Sequence, residues 1–102
     1  WRMYVTDTNN GKRISPWHDL PLFLDAEKGV LTYLNEIPAR STAKMELSPK
    51  LENNPIKQDI KKGNLRYFTY PASGPAIPFN YGMLPQTFED PEEKDADTQC
   101  FG

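Results

Sequence analysis

Residues 43–47 alternate in character: Ala43, Met45 and Leu47 are apolar while Lys44 and Glu46 are charged. This is the period-two pattern of a half-buried strand, so one face presents a cation and an anion side by side. Three other stretches invite a chemical reading. His18 could act as a base near neutral pH, but it stands between Trp17 and the proline-flanked Leu20-Pro21-Leu22, which reads as packing. The acidic residues 89–97 suit a calcium loop. They lack the helix-loop-helix frame and the glycine of an EF-hand, so a solvated loop is the better reading. Cys100 is the one cysteine, which excludes an internal disulfide or a thiolate metal cluster made by this chain alone. With no neighbouring histidine to activate it, it reads as a packing or surface thiol.

The elements that must position these residues read as short strands. Arg2-Met3-Tyr4-Val5 predicts a strand and Thr8-Asn9-Asn10-Gly11-Lys12 a tight turn, since Asn-Gly tolerates positive φ; together they predict a hairpin. Glu27-Lys28-Gly29 supplies the next turn. Residues 30–37 are rich in strand formers with apolar residues on both faces, as expected of a strand buried inside a small barrel. Pro38 ends that strand and leaves Glu36 at its terminus. Pro49, Asn53-Asn54-Pro55 and Lys61-Lys62-Gly63-Asn64 carry turn chemistry, and residues 56–60 and 65–70 are short enough to be strands of the same sheet. Lys57, Lys61 and Lys62 read as a solvated basic turn that could raise the local potential around an anionic ligand. Residues 71–78 form a loop of prolines, small residues and a glycine. Helical periodicity is weak throughout, and many short strands with proline-rich connections favour a small antiparallel barrel.

At 102 residues, 37% hydrophobic, with a mean hydropathy of -0.72, the sequence describes one soluble domain or a piece of one, with no membrane span. A formal charge of -2 and a pI near 5.3 remove a whole-chain basic footprint for nucleic acid.

Several blocks together carry a family resemblance. Glu36-Ile37-Pro38, Ala43-Lys44-Met45-Glu46, Asn54-Pro55-Ile56-Lys57-Gln58-Asp59 with Lys61-Lys62-Gly63-Asn64-Leu65-Arg66, Asn80-Tyr81-Gly82, Leu84-Pro85-Gln86-Thr87 and Glu89-Asp90-Pro91 resemble the soluble family I inorganic pyrophosphatases in order and spacing. With Ser15-Pro16-Trp17-His18-Asp19-Leu20-Pro21-Leu22 they cover nearly the whole chain. Tyr33-Leu34-Asn35-Glu36 and Pro78-Phe79-Asn80-Tyr81-Gly82-Met83 look most like the acidocalcisomal pyrophosphatases of kinetoplastids.

The resemblance implies a mainly β fold, α+β in the full domain. Its core is an antiparallel OB-like five-stranded barrel, here incomplete at the carboxy end, with helices and an Asp-x-Asp-Pro-x-Asp metal-binding segment beyond Gly102. Residues 1–102 are then the amino-terminal part of a single catalytic domain; separately, the opening at Trp1 without an initiator methionine predicts chain upstream. Residue by residue, it implies that Lys44, Arg66 and Tyr81 contact phosphate, that Glu36 and Glu46 belong to the metal and water network, and that Tyr81 and Glu46 take part in catalysis. His18 carries no catalytic role in the family.

The activity implied is hydrolysis of inorganic pyrophosphate to two phosphates with Mg2+, or another divalent ion such as Zn2+ or Mn2+, and short-chain polyphosphate as a further substrate. A homo-oligomer is expected; Ala39-Arg40 stands where fungal and animal relatives carry an Arg-Trp pair that helps form a dimer contact. An acidocalcisome location is implied, with the cytoplasm as the alternative. Such chemistry suits these residue types, because a compact polyanion attacked in line by water needs charge neutralisation and positioning more than covalent steps. The competing readings are an OB-like polyanion or nucleic-acid binding module and an inactive relative of the family.

Overall fold

The computed structural model describes residues 1–68 and 77–101, and these build ten short strands and no helix. In chain order they are β1 (Val5–Thr6), β2 (Arg13–Ile14), β3 (Phe23–Asp25), β4 (Val30–Leu31), β5 (Leu34–Ile37), β6 (Met45–Leu47), β7 (Ile56–Gln58), β8 (Ile60–Lys61), β9 (Asn64–Leu65) and β10 (Tyr81–Met83). The expected mainly β, antiparallel class holds. The strands pair as five separate two-stranded ladders, β1-β2, β3-β4, β5-β10, β6-β7 and β8-β9, and the described residues close no barrel.

The amino-terminal hairpin forms with a broader turn than Asn-Gly alone dictates. Val5 pairs with Ile14 and Thr6 with Arg13, leaving residues 7–12 as the loop. Asp7 organises it: its carboxylate accepts from the Asn9 amide at 2.9 Å and from Asn10 Nδ2 at 2.7 Å. A side chain that mimics a turn in this way competes with the tighter backbone solution.

Residues 30–37 do not make one buried strand. The chain changes partner at Thr32 and Tyr33, because β4 pairs with β3 while β5 pairs with β10, and the Thr32 amide donates to the Leu22 carbonyl. Val30, Leu31 and Tyr33 are consequently exposed, and only Ile37 is buried.

Among the described residues Ile37 and Ile56 are the buried aliphatic side chains, and Pro16, Pro55 and Pro85 are fully covered. Met3 and Ile56 exchange both backbone hydrogen bonds, at 2.8 and 2.9 Å, which fixes the amino terminus to the edge of β7. A buried polar knot braces the same region. Ser15 Oγ donates to Asn54 Oδ1 at 2.6 Å and accepts from the His18 amide, while Asn54 Nδ2 donates to the Ser48 carbonyl at 3.1 Å. Interior polar atoms satisfied in this way specify one packing. His18 itself is exposed and stacked on Trp17, with ring centroids 4.5 Å apart.

The acidic residues 89–97 lie on the surface as turns. The Asp95 carboxylate accepts from the Asp97 and Thr98 amides and from Thr98 Oγ1. Residues 69–76, which include the end of the strand expected over 65–70 and most of the loop expected over 71–78, lie outside the described residues.

Candidate functional site

Strands β6 and β7 pair in the register Met45 to Gln58, Glu46 to Lys57 and Leu47 to Ile56. Beyond the end of that ladder the pairing continues into the site. The Asp59 amide donates to the Lys44 carbonyl at 2.9 Å, the Lys44 amide to the Arg66 carbonyl at 3.1 Å, and the Arg66 amide to the Asp59 carbonyl at 2.9 Å. These three bonds close a ring in which each residue donates to the next. Arg66 can return to Asp59 because Lys62 and Gly63 both take positive φ, 52° and 78°, the conformation of a two-residue hairpin turn. Gln58 Nε2 adds a bond to the Arg66 carbonyl at 2.7 Å.

The side chains repeat the arrangement of the backbones. Lys44 Nζ donates to Glu46 Oε2 at 2.8 Å and to Asp59 Oδ2 at 2.9 Å, and Arg66 Nη1 donates to the same Asp59 oxygen at 2.6 Å. Asp59 is the best covered of the four, its side chain 15% exposed. The Lys44 hydrogen bond above all, with the Arg66 bond after it, pulls the Asp59 carboxyl down to about 2 against the opposing effect of burial. Lys44 is held above the ordinary lysine value, chiefly by its bond to Glu46. Two cations are thus fixed side by side on one carboxylate oxygen, and each retains N–H donors for an incoming anion.

Glu36 reaches the group from β5. Its Oε1 accepts from the Leu47 amide at 2.6 Å, so this carboxylate also ties β5 to β6. Burial pushes the Glu36 carboxyl up, the Leu47 bond acts against that, and the neighbouring Glu46 adds to the rise. Glu36 and Glu46 both line an open cavity of about 1250 Å³ whose walls include Met3, Met45, Ile56 and Leu65. Lys44, Asp59, Arg66 and Tyr81 are not among its lining residues.

Tyr81 begins β10, opposite Ile37, and is 56% exposed. No hydrogen bond between described residues links it to Lys44, Asp59 or Arg66. Its strand lies against β5 through Gly82, where a Cβ would collide with the Leu34 carbonyl oxygen. Only glycine permits that approach, which holds Tyr81 one strand away from Glu36.

Of the five residues singled out from sequence, the structure therefore joins Lys44, Glu46 and Arg66 directly, sets Glu36 against their strand and leaves Tyr81 apart. Asp59, the carboxylate on which the cations converge, is not among those five. The signal that could have found it is register: once Glu46 opposes Lys57, Lys44 falls opposite Asp59.

The inorganic pyrophosphatase family matches residues 33–98. The chain belongs to the inorganic pyrophosphatase family. It is 47% identical over 103 residues to the soluble inorganic pyrophosphatase 6, chloroplastic, of Arabidopsis thaliana, covering all of this chain and 32% of that protein. Its structure matches that of the inorganic pyrophosphatase from Schistosoma japonicum with a TM-score of 0.88 and 42% identity, over 99% of this chain and 35% of the other. A Trypanosoma cruzi vacuolar soluble pyrophosphatase, solved with its N-terminal domain truncated and in complex with PPi, matches with a TM-score of 0.66 and 35% identity, over 91% of this chain and 38% of the other. The chain spans about a third of the length of the curated relatives it matches. All of Glu36, Lys44, Glu46, Asp59, Arg66 and Tyr81 fall inside the span that the pyrophosphatase family matches, whereas Ser15, Trp17 and His18 precede it.

Proposed function

We propose that this chain forms the phosphate-holding part of a site that hydrolyses inorganic pyrophosphate to two phosphates, and that residues 1–102 are part of a single catalytic domain. The observation that carries the reading is the seating of Lys44 Nζ and Arg66 Nη1 on one oxygen of Asp59. Membership in the pyrophosphatase family supports the substrate.

Two cations fixed beforehand lose little freedom when a polyanion arrives, so their attraction acts on the developing charge and is not spent on ordering. Arg66 offers a planar fork to phosphoryl oxygens and Lys44 a point charge. Tyr81, exposed at the start of β10, is assigned a hydrogen bond to phosphate and a part in proton movement.

A divalent metal is part of the proposal, Mg2+ first, with Zn2+ and Mn2+ as alternatives. The donor chemistry fits: Glu36 and Glu46 offer carboxylate oxygens to one cavity, and hard cations take oxygen ligands while keeping several waters. Glu36 Oε1 and Glu46 Oε2 are committed to Leu47 and Lys44. Each carboxylate thus has its other oxygen for the ion or its waters. Among the described residues no group of three or more His, Cys, Asp or Glu side chains is placed to hold an ion, so Glu36 and Glu46 are assigned contacts through water. When bound, such an ion lowers the pKa of its water and neutralises phosphate charge.

The likeness to the Trypanosoma cruzi vacuolar soluble pyrophosphatase supports a vacuole as the compartment, while the Arabidopsis relative is named for the chloroplast. The test is phosphate release from pyrophosphate by the intact protein, with Mg2+ and then with a chelator. A short polyphosphate serves as second substrate. Metal-dependent release that falls strongly in Lys44→Ala and Arg66→Ala, with circular dichroism unchanged, supports the assignment. Release at the unaltered rate in both variants overturns it.

A further inference from the structure

The hairpin of β8 and β9 grows directly out of the site. Asp59 precedes it, Arg66 follows it, and the Arg66 amide bonded to the Asp59 carbonyl closes its base. Ile60 pairs with Leu65 and Lys61 with Asn64, so Lys62 and Gly63 form the tip. Lys61 and Lys62 are exposed, and no ion pair between described residues includes Lys57, Lys61 or Lys62. Residues 57–66 carry four cations against Asp59 alone, in a chain whose formal charge is -2. Lys61 and Lys62 are the two of the chain's twelve Lys and Arg residues that stand on this projection, with Lys57 and Arg66 flanking its base.

Lys62 also holds an unfavourable conformation. Its φ of 52° lies in the left-handed region that glycine, asparagine and aspartate adopt most readily, and a turn with positive φ at both central residues favours Asn-Gly over Lys-Gly. Two other residues with positive φ, Gln86 and Arg40, are anchored by contacts of their own. The Gln86 amide donates to the Trp17 carbonyl and its side chain to the Leu20 carbonyl, and the Arg40 amide donates to the Ile77 carbonyl. Lys62 sits in the turn closed by the Lys61–Asn64 pair, and its carbonyl accepts a 3.4 Å bond from Asn64 Nδ2. The hairpin turn requires the positive φ at this position but not a lysine side chain, and a residue held there against its backbone preference points toward function.

We propose that Lys61 and Lys62 are an electrostatic guide for the anionic substrate, raising its concentration beside Lys44 and Arg66 without touching the reacting phosphorus. This rests on the pyrophosphate reading above. Lys62 stands about three residues from Asp59, or roughly 10 Å along an extended strand, which is about one Debye length at 0.1 M salt. A charge at that distance is felt by an arriving polyanion at low ionic strength and is screened at high.

The experiment compares the intact wild-type protein with Lys62→Asn and Lys62→Arg. Asparagine suits the turn, so the first variant should melt no lower than wild type, which separates steering from folding. At low ionic strength kcat/KM for pyrophosphate should fall ~five-fold in Lys62→Asn, with kcat unchanged, and the gap should close near 0.5 M salt, roughly where screening becomes complete over this distance. Lys62→Arg should retain the wild-type value. Stopped-flow association of methylenediphosphonate, an uncleavable analogue, supplies a readout independent of turnover. If wild type releases no phosphate, the pyrophosphate reading fails, while a Lys62-dependent, salt-sensitive association rate still supports the guide. An association rate and salt slope identical in wild type and Lys62→Asn overturn the guide, whatever the turnover; so does the absence of any association.

Discussion

Arg66 is bonded to Asp59 twice: its amide donates to the Asp59 carbonyl at 2.9 Å and its Nη1 to Asp59 Oδ2 at 2.6 Å. The backbone contact sets where the arginine begins and the side-chain contact sets where its guanidinium ends. Because Lys44 Nζ occupies the same Oδ2 at 2.9 Å, this carboxylate fixes the spacing between the two cations. Asp59 is therefore a positioning residue in the proposed site.

Removing that charge should separate the cations while leaving the ladders paired. Asp59→Asn is expected to lower kcat/KM for pyrophosphate by roughly 10–100-fold, since charge-assisted bonds that orient a catalytic group are lost. Phosphate-release kinetics on the single variants and on Asp59→Asn with Arg66→Ala check it. The two losses should fall short of adding, because both residues act through one contact.

Acid should weaken the fold through the same group. The Asp59 carboxyl is depressed to about 2 from an ordinary 3.8, so the unfolded chain takes up its proton first as pH falls. The stabilisation is present above the unfolded value and is lost as pH drops through the folded one. Urea unfolding of wild type and Asp59→Asn should show a stability difference that is steady above roughly pH 5 and closes toward pH 2. A difference that does not change over that window contradicts the shift.

Gly82 is expected to be intolerant of any side chain. A Cβ there would strike the Leu34 carbonyl oxygen, forcing β10 away from β5. Gly82→Ala should cost about 1–3 kcal/mol, the usual range for overpacking, visible as a lower melting temperature. Turnover should fall with it, because Tyr81 is the preceding residue on the displaced strand.

His18 and Ser15 should behave in opposite ways despite their proximity. His18 is exposed and stacked on Trp17, so His18→Ala is expected to change stability by no more than about 0.5 kcal/mol, with phosphate release intact. Ser15 is buried and gives Asn54 Oδ1 its hydrogen bond. Ser15→Ala strands that oxygen and should cost about 1–3 kcal/mol, measured by denaturant unfolding.

The sequence by itself determined the local character of the site. Alternation over residues 43–47 placed Lys44 and Glu46 on one face, and that pattern is readable because strand side chains alternate whatever the partner strand is. Turn chemistry over Lys61-Lys62-Gly63-Asn64 marked a turn before Arg66, and short strand-like runs with proline-rich connections pointed to an antiparallel β class. What the tertiary structure alone decided is which strands meet. Residues 30–37 look like one continuous strand because periodicity carries no information about partners, and only the folded chain shows the switch from β3 to β10 at Thr32 and Tyr33. Asp59 was invisible for the same reason. Its role depends on a register that sets it opposite Lys44, 15 residues away, and on a hairpin that carries Arg66 back to the same oxygen. Those contacts are non-local, and a single sequence states residue types and spacings but not the pairing energy that selects one register over its neighbours.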